Sequence, residues 1–319
     1  MSSTSSTVTP FPGRGEFVRT VTAGGRTLRV SVRPGTDPSV PTLLLMNGIG
    51  ASLEVLQPFV DALDKRRTVV RFDVPGVGGS PRPVVPYSLP TFGPVVTGML
   101  DRLGFDDPVD VLGLSWGGGL AQHFAVQHRR RVRRLVLAAT GTGTLMVPAH
   151  PRVLGRMLTP RRHRDPEYAR SIAGDIYGGT MRSDPERAAR VLHSASRLGP
   201  KRGYYFQLAA STGWSSLPFL RLIRQPVLVV AGDDDPIIPV VNARIMARLL
   251  PDARLHLYRG GHIALITEAH DLAPVIEEFL DGPVLEIAGT DGLLAVPVTG
   301  DSGAVRPLGE AVEWWSLRG

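Results

Sequence analysis

The chain holds no cysteine in 319 residues. That absence excludes disulfides, thiolate metal sites and a cysteine nucleophile, and it suits a reducing compartment. Lysine is nearly absent too: Lys65 and Lys201 are the only two, so arginine carries almost all of the formal charge of +7. No apolar run approaches the roughly 18 residues of a membrane span, so no transmembrane segment is expected. The opening MSSTSSTVTPFPGRGEF lacks the charged and apolar regions of a signal peptide, and residues 1–15 read as a flexible tail. The densest basic run, HRRRVRR (His128 to Arg134), has no aromatic platform or nucleic-acid motif beside it. It reads as a solvated helix end and loop, with no nucleic-acid partner.

What is present is the composition of a globular protein, 43% apolar and 20% charged. The length allows one large α/β domain with an insertion, or two domains. TLLLMN, TVVRFDV, VDVLGLS, RLVLAAT, PVLVVAG and ARLHLY read as strands, with helical spacing between them, as in LEVLQPFVDALD and VNARIMARLL. Near-continuous apolar strands alternating with helices indicate a mostly parallel, doubly wound sheet covered on both faces. FVRTVTAGGRTLRVSVRP reads as an earlier antiparallel hairpin turning at Gly24-Gly25. The alternation stops between about Met146 and Leu220, a stretch rich in arginine, proline and tyrosine that is long enough for an inserted helical cap. The expected division is a core over 16–145, a cap over 146–220, a second core part over 221–282 and a C-terminal extension over 283–319.

The chemistry centres on VDVLGLSWGGGLAQHFA, where Ser115 lies between Gly113 and Gly117 at a strand-to-helix junction. A serine on so tight a turn leaves no room for neighbouring side chains, which explains the G-x-S-x-G spacing. A serine hydroxyl needs a base to become nucleophilic. AGDDDPIIP puts Asp233, Asp234 and Asp235 at the end of a strand; three adjacent carboxylates cannot all be buried and charged without partners. His262 follows two glycines just past the next strand, whereas His256 alternates within that strand as a sheet-face residue. Serine, acid and histidine thus occur in the order an acyl-transfer triad on such a sheet requires. NGIG, Asn47 to Gly50, ends another strand; the amides of Ile49 and Trp116 are the natural donors to an oxyanion. FDVPGVGGS lacks the G-x-G-x-x-G and Gly-Lys-Ser/Thr patterns of phosphate loops and reads as a structural loop near the site.

NGIGASLEVLQPF, FDVPGVGGS, GLSWGGGLAQHFA, LVLAATGTGTLMVP, GDIYGG, GYYFQL, GWSSLPFL and GDDDPIIP resemble segments of the intracellular poly(3-hydroxyalkanoate) depolymerases. These are α/β-hydrolases best known for medium-chain-length polymers. The resemblance runs from about residue 17 to 280, cap included, and extends to asparagine at position 47, where many hydrolases carry histidine. It implies an α/β-hydrolase fold, a Ser115–His262–Asp235 triad and ester hydrolysis without metal or organic cofactor. It also implies a cytoplasmic protein acting on polyester or its oligomers, in association with storage granules. Met146, Tyr177, Tyr204, Tyr205 and Trp214 are candidates for an acyl tunnel. Trp314 and Trp315 are candidates for a granule anchor. The alternatives are a small-ester or lactone esterase, an aminopeptidase or a haloperoxidase-like enzyme on the same fold, and a non-catalytic binding protein that kept it.

Overall fold

Strand residues here are buried on alternating sides, so the sheet they form is covered on both faces. In β4 (Leu43–Met46) and β6 (Val109–Leu114) every residue is buried. Leu44, Met46 and Val111 pack on one face with Phe92, Leu120 and Phe124, while Leu43, Leu45 and Leu112 pack on the other with Phe59, Ile276 and Leu280. The computed structural model describes residues 9–10, 15–187, 190, 197 and 199–282. Their remaining strands are β1 (Thr9–Pro10), β2 (Phe17–Ala23), β3 (Arg26–Arg33), β5 (Val69–Phe72), β7 (Val132–Ala138), β8 (Val227–Gly232) and β9 (Ala253–Tyr258).

The described sheet runs β1-β2-β3-β5-β4-β6-β7-β8-β9. From β5 to β9 all neighbours are parallel; β1, β2 and β3 form an antiparallel edge joined to β5. The hairpin turns at Gly24 and Gly25, with φ of 53° and 70°, as a two-residue primed turn demands. The fold is the mostly parallel α/β arrangement that the strand pattern predicts. Two readings of short segments need correction. Within the tail read over 1–15, Thr9 and Pro10 pair with Val18 and Phe17, so backbone bonding there extends the sheet. HRRRVRR is only partly solvated. Arg129 and Arg130 are exposed, but Arg133 pairs with Asp110 at 2.6 Å and buried Arg134 donates to the carbonyls of Phe279 and Gly282. Its last arginines tie β7 to the final helix, Ala269–Asp281.

Arginine supplies buried forks elsewhere as well. Arg33 donates to the carbonyls of Val60, Asp64 and Arg67 at 2.7, 2.8 and 2.8 Å. Arg67 meets Asp110 at 3.0 Å. A planar guanidinium satisfies several acceptors at fixed angles, which one ammonium does not do.

Between β7 and β8 the chain leaves the sheet. It forms the helices Pro151–Met157, Pro166–Tyr177 and Lys201–Ser211, with no strand among the described residues of 146–220. An isolated bridge from Gly143 to Ser215 closes the base of this excursion. No helix among the described residues is long and apolar enough to cross a membrane. The extension over 283–319, with Trp314 and Trp315, lies outside the described residues.

Candidate active site

Ser115 stands between β6 and the helix Trp116–Gln127, with φ 54° and ψ −117°. A non-glycine residue held there costs on the order of 1–3 kcal/mol and persists only where its surroundings enforce it. They do so here. The Ser115 amide donates to the Ala138 carbonyl at 2.9 Å, and its carbonyl accepts from the Thr140 hydroxyl at 2.7 Å and the Gly118 amide at 2.9 Å. The flanking glycines are dictated by contact: a Cβ on Gly117 would lie 2.1 Å from the Met46 carbonyl oxygen, and one on Gly113 2.5 Å from that of Gly117.

The structure brings Ser115, His262 and Asp235 into one chain of hydrogen bonds. His262 Nε2 lies 3.0 Å from Ser115 Oγ, and His262 Nδ1 lies 2.7 Å from Asp235 Oδ2. Both side chains behind the serine are buried, His262 at 7% and Asp235 at 2% exposure. The other carboxylate oxygen, Asp235 Oδ1, accepts the amides of Ile237 and Ile238, each at 2.9 Å. The two neighbouring aspartates are used differently. Asp233 accepts the Gly260 amide at 3.1 Å. Asp234 accepts the Gly179 amide and a two-pronged Arg182, all at 2.7 Å, and these donors hold its carboxyl below the usual carboxylate range.

Glycine contacts lock the excursion to these loops. The His262 amide donates to the Tyr177 carbonyl at 2.7 Å. A Cβ on Gly261 would lie 1.9 Å from that carbonyl oxygen, and one on Gly178 would lie 1.9 Å from the Asp234 carbonyl oxygen. The end of helix Pro166–Tyr177 therefore presses backbone to backbone against the segments that carry the histidine and the acid.

At the end of β4, Asn47 folds the NGIG turn. Its Nδ2 donates to the Ser52 carbonyl at 2.7 Å and its Oδ1 accepts the Gly48 amide at 2.8 Å. Trp116 opens its helix, so its amide has no carbonyl of an earlier turn to bond. Gly48 packs directly on the serine: a Cβ there would sit 3.6 Å from Ser115 Cβ.

Two cavities meet at Ser115. The larger, about 400 Å³, is lined by Trp116, Met146, Leu158, Leu208, Trp214 and Ile238 among others. The smaller, about 40 Å³, lies on the His262 side and is lined by Ile49, Met157, Arg162, Tyr177 and Ile237. Of the five tunnel candidates, Met146 and Trp214 thus line the larger cavity and Tyr177 the smaller. Tyr204 and Tyr205 line neither. Tyr204 is buried and accepts from Arg162 at 2.8 Å, and Tyr205 is 45% exposed.

The alpha/beta hydrolase fold family matches residues 41–269. The chain belongs to the α/β-hydrolase family. This hydrolase is 49% identical, over 82% of its length and 92% of the relative's, to a poly(3-hydroxyalkanoate) depolymerase of Ectopseudomonas oleovorans. Among solved structures it is similar to an enol-lactonase from Burkholderia xenovorans, with a TM-score of 0.70 and 24% identity over 82% of this chain and 99% of that one. A meta-cleavage product hydrolase from Pseudomonas fluorescens is similar at a TM-score of 0.69 and 21% identity, over 82% and 97% of the two chains. These two likenesses concern the fold.

Two residues important to the geometry of this hydrolase escape sequence reasoning. Asp73 follows β5 and takes the amides of Leu53 and Gly79 at 2.7 and 2.8 Å and Arg29 at 3.1 Å, which fixes the FDVPGVGGS loop. Burial pushes its carboxyl up to about 6 against the pull of those donors. An aspartate at the carboxyl end of a strand, followed by clustered glycines, is the signal that points to it. Gln207 has no such signal. Asp234 offers a contrast with its neighbour. Asp234→Asn should leave ester turnover within a few-fold of wild type and cost no more than about 1 kcal/mol, because its ion pair is half exposed on both sides. Urea midpoints and initial rates on a p-nitrophenyl ester check this, and a loss beyond a hundredfold would move Asp234 into the chemistry.

Proposed function

We propose that this hydrolase cleaves the ester bonds of poly(3-hydroxyalkanoate) or its oligomers through an acyl-enzyme on Ser115. The observation that carries the reading is the hydrogen-bond chain from Ser115 Oγ through His262 to buried Asp235, at 3.0 and 2.7 Å. The 49% identity to a depolymerase supports the choice of ester. His262 Nε2 takes the hydroxyl proton as Oγ bonds to the ester carbonyl carbon. The resulting oxyanion is met by the amides of Ile49 and Trp116. The C–O bond to the alcohol then breaks, and His262 hands the alcohol its proton. A water, deprotonated by His262, attacks the acyl carbon; the bond to Ser115 Oγ breaks, His262 returns the proton to that oxygen, and the acid leaves. Asp235 keeps the imidazole oriented and offsets its charge while it is protonated.

The division of labour follows from the cavities. The 146–220 segment acts as the cap: with Met146, Leu158, Leu208 and Trp214 it supplies most of the apolar wall of the 400 Å³ space, a size suited to an alkyl side chain or several polymer units. Leu158, 61% exposed, lies at the rim, and exposed Leu145 and Val147 flank Met146. An apolar rim of this kind suits contact with a water-insoluble polyester and a place at the granule surface inside the cell.

The test pairs a trap with a substrate series. A fluorophosphonate should add one phosphonyl group, found on the peptide carrying Ser115. Amorphous medium-chain polyester granules should release 3-hydroxy acids or short oligomers. Labelling at another residue would sink the nucleophile assignment. Turnover of small p-nitrophenyl esters with no release from granules or soluble oligomers would leave an esterase and sink the polyester reading.

A further inference from the structure

Gln207 sits in helix Lys201–Ser211 with 1% of its surface exposed. Its side-chain Oε1 accepts the Gly50 amide at 2.7 Å, and its own backbone carbonyl accepts the Trp116 indole N–H at 2.9 Å. A single buried residue therefore touches both segments that carry the proposed oxyanion donors. Resting on the esterase reading above, we infer that Gln207 is a positioning residue that aims the Ile49 amide at the oxyanion and keeps it in register with Trp116.

The NGIG turn needs such a hold. Two glycines in four residues give it wide backbone freedom, and Gly50 uses it, with φ 73°. Asn47 fixes the near side of the turn through the Gly48 amide, and Gln207 fixes the far side through the Gly50 amide. Ile49 lies between these two anchored amides, so its peptide plane is set from both ends. Close packing adds to the hold: a Cβ on Gly50 would lie 2.8 Å from the Tyr204 ring and 2.9 Å from that of His163. The helix is itself seated by Gly203, where a Cβ would lie 1.7 Å from the Gly76 carbonyl oxygen. An oxyanion donor works within a few tenths of an ångström of its ideal distance, and a misplacement of about 1 Å can cost on the order of a hundredfold. A neutral amide also suits the place, since a carboxylate there would oppose the charge that develops on the substrate oxygen.

Two variants test this. Gln207→Leu keeps size and burial but removes the acceptor; Gln207→Glu keeps an acceptor oxygen at the same reach. Hydrogen–deuterium exchange should rise in the peptide spanning 47–51 for Gln207→Leu and stay near wild type for Gln207→Glu. With active serine counted by fluorophosphonate titration, kcat of Gln207→Leu should fall about 10- to 100-fold while KM stays within about twofold. Unchanged exchange in that peptide, or a kcat per titrated serine within threefold of wild type, would overturn the inference. Wild type without any ester turnover would instead sink the esterase reading and this one together, so the two failures are separable.

Discussion

Ser115→Ala should lower ester turnover by at least about 10⁴-fold while leaving the protein folded. The alanine keeps the backbone, and the backbone is what the surroundings grip: the Ser115 amide to Ala138, its carbonyl to Thr140 and Gly118. The hydroxyl bonds His262 Nε2, so its removal deletes the proposed nucleophile and little else. Loss of a triad serine commonly approaches 10⁶-fold, with the residual rate coming from substrate binding and oxyanion donors. The check is turnover at high enzyme concentration beside a circular dichroism melt. A folded variant that retains more than a few per cent of activity would require another nucleophile.

Much of this site could be read from the chain because it is local. Strand, turn and helix around Ser115 are contiguous, and contact demands the glycines on either side, so the motif carries its own steric reason. The order of serine, acid and histidine follows from a sheet whose functional loops all leave the carboxyl ends of its strands. Which aspartate of GDDDP faces the histidine is a finer matter. All three follow the same strand, and composition treats them alike. The structure separates them by partner: Gly260 for Asp233, Arg182 for Asp234, and His262 for Asp235.

What stayed illegible depends on contacts between distant segments. Gln207 meets Gly50 across 157 positions, and its helix, with its paired tyrosines, carries no pattern that marks one residue from another. The arginines of HRRRVRR look like a solvated run until the last helix, nearly 150 residues later, brings its C-terminal carbonyls over Arg134. Tyr204 and Tyr205 are neighbours in that same tyrosine-rich helix, yet one is buried and the other open to solvent. Aromatic content alone marks them equally as tunnel residues. The helix's placement against Gly76, Gly50 and Arg162 decides that neither lines the cavities at Ser115.

Asp235→Asn should cost about 10⁴-fold in kcat, a larger loss than its conservative shape suggests. The reason lies in the two oxygens of Asp235. Oδ1 accepts the amides of Ile237 and Ile238, so an asparagine must turn its carbonyl oxygen to those donors and its NH₂ toward His262. A donor facing Nδ1 requires that nitrogen to be the acceptor, which puts the imidazole proton on Nε2. Nε2–H then points at Ser115 Oγ, where a base is needed to take the hydroxyl proton. The variant retains its fold and its grip on substrate but holds the wrong tautomer. Wild-type-like KM with a collapsed kcat is the expected signature, and the fluorophosphonate labelling rate should fall with kcat because it depends on the same activated serine. Asp234→Asn, one residue away and bonded to Arg182 instead, is the matched control. Equal losses in the two variants would show that the GDDDP turn matters only as structure.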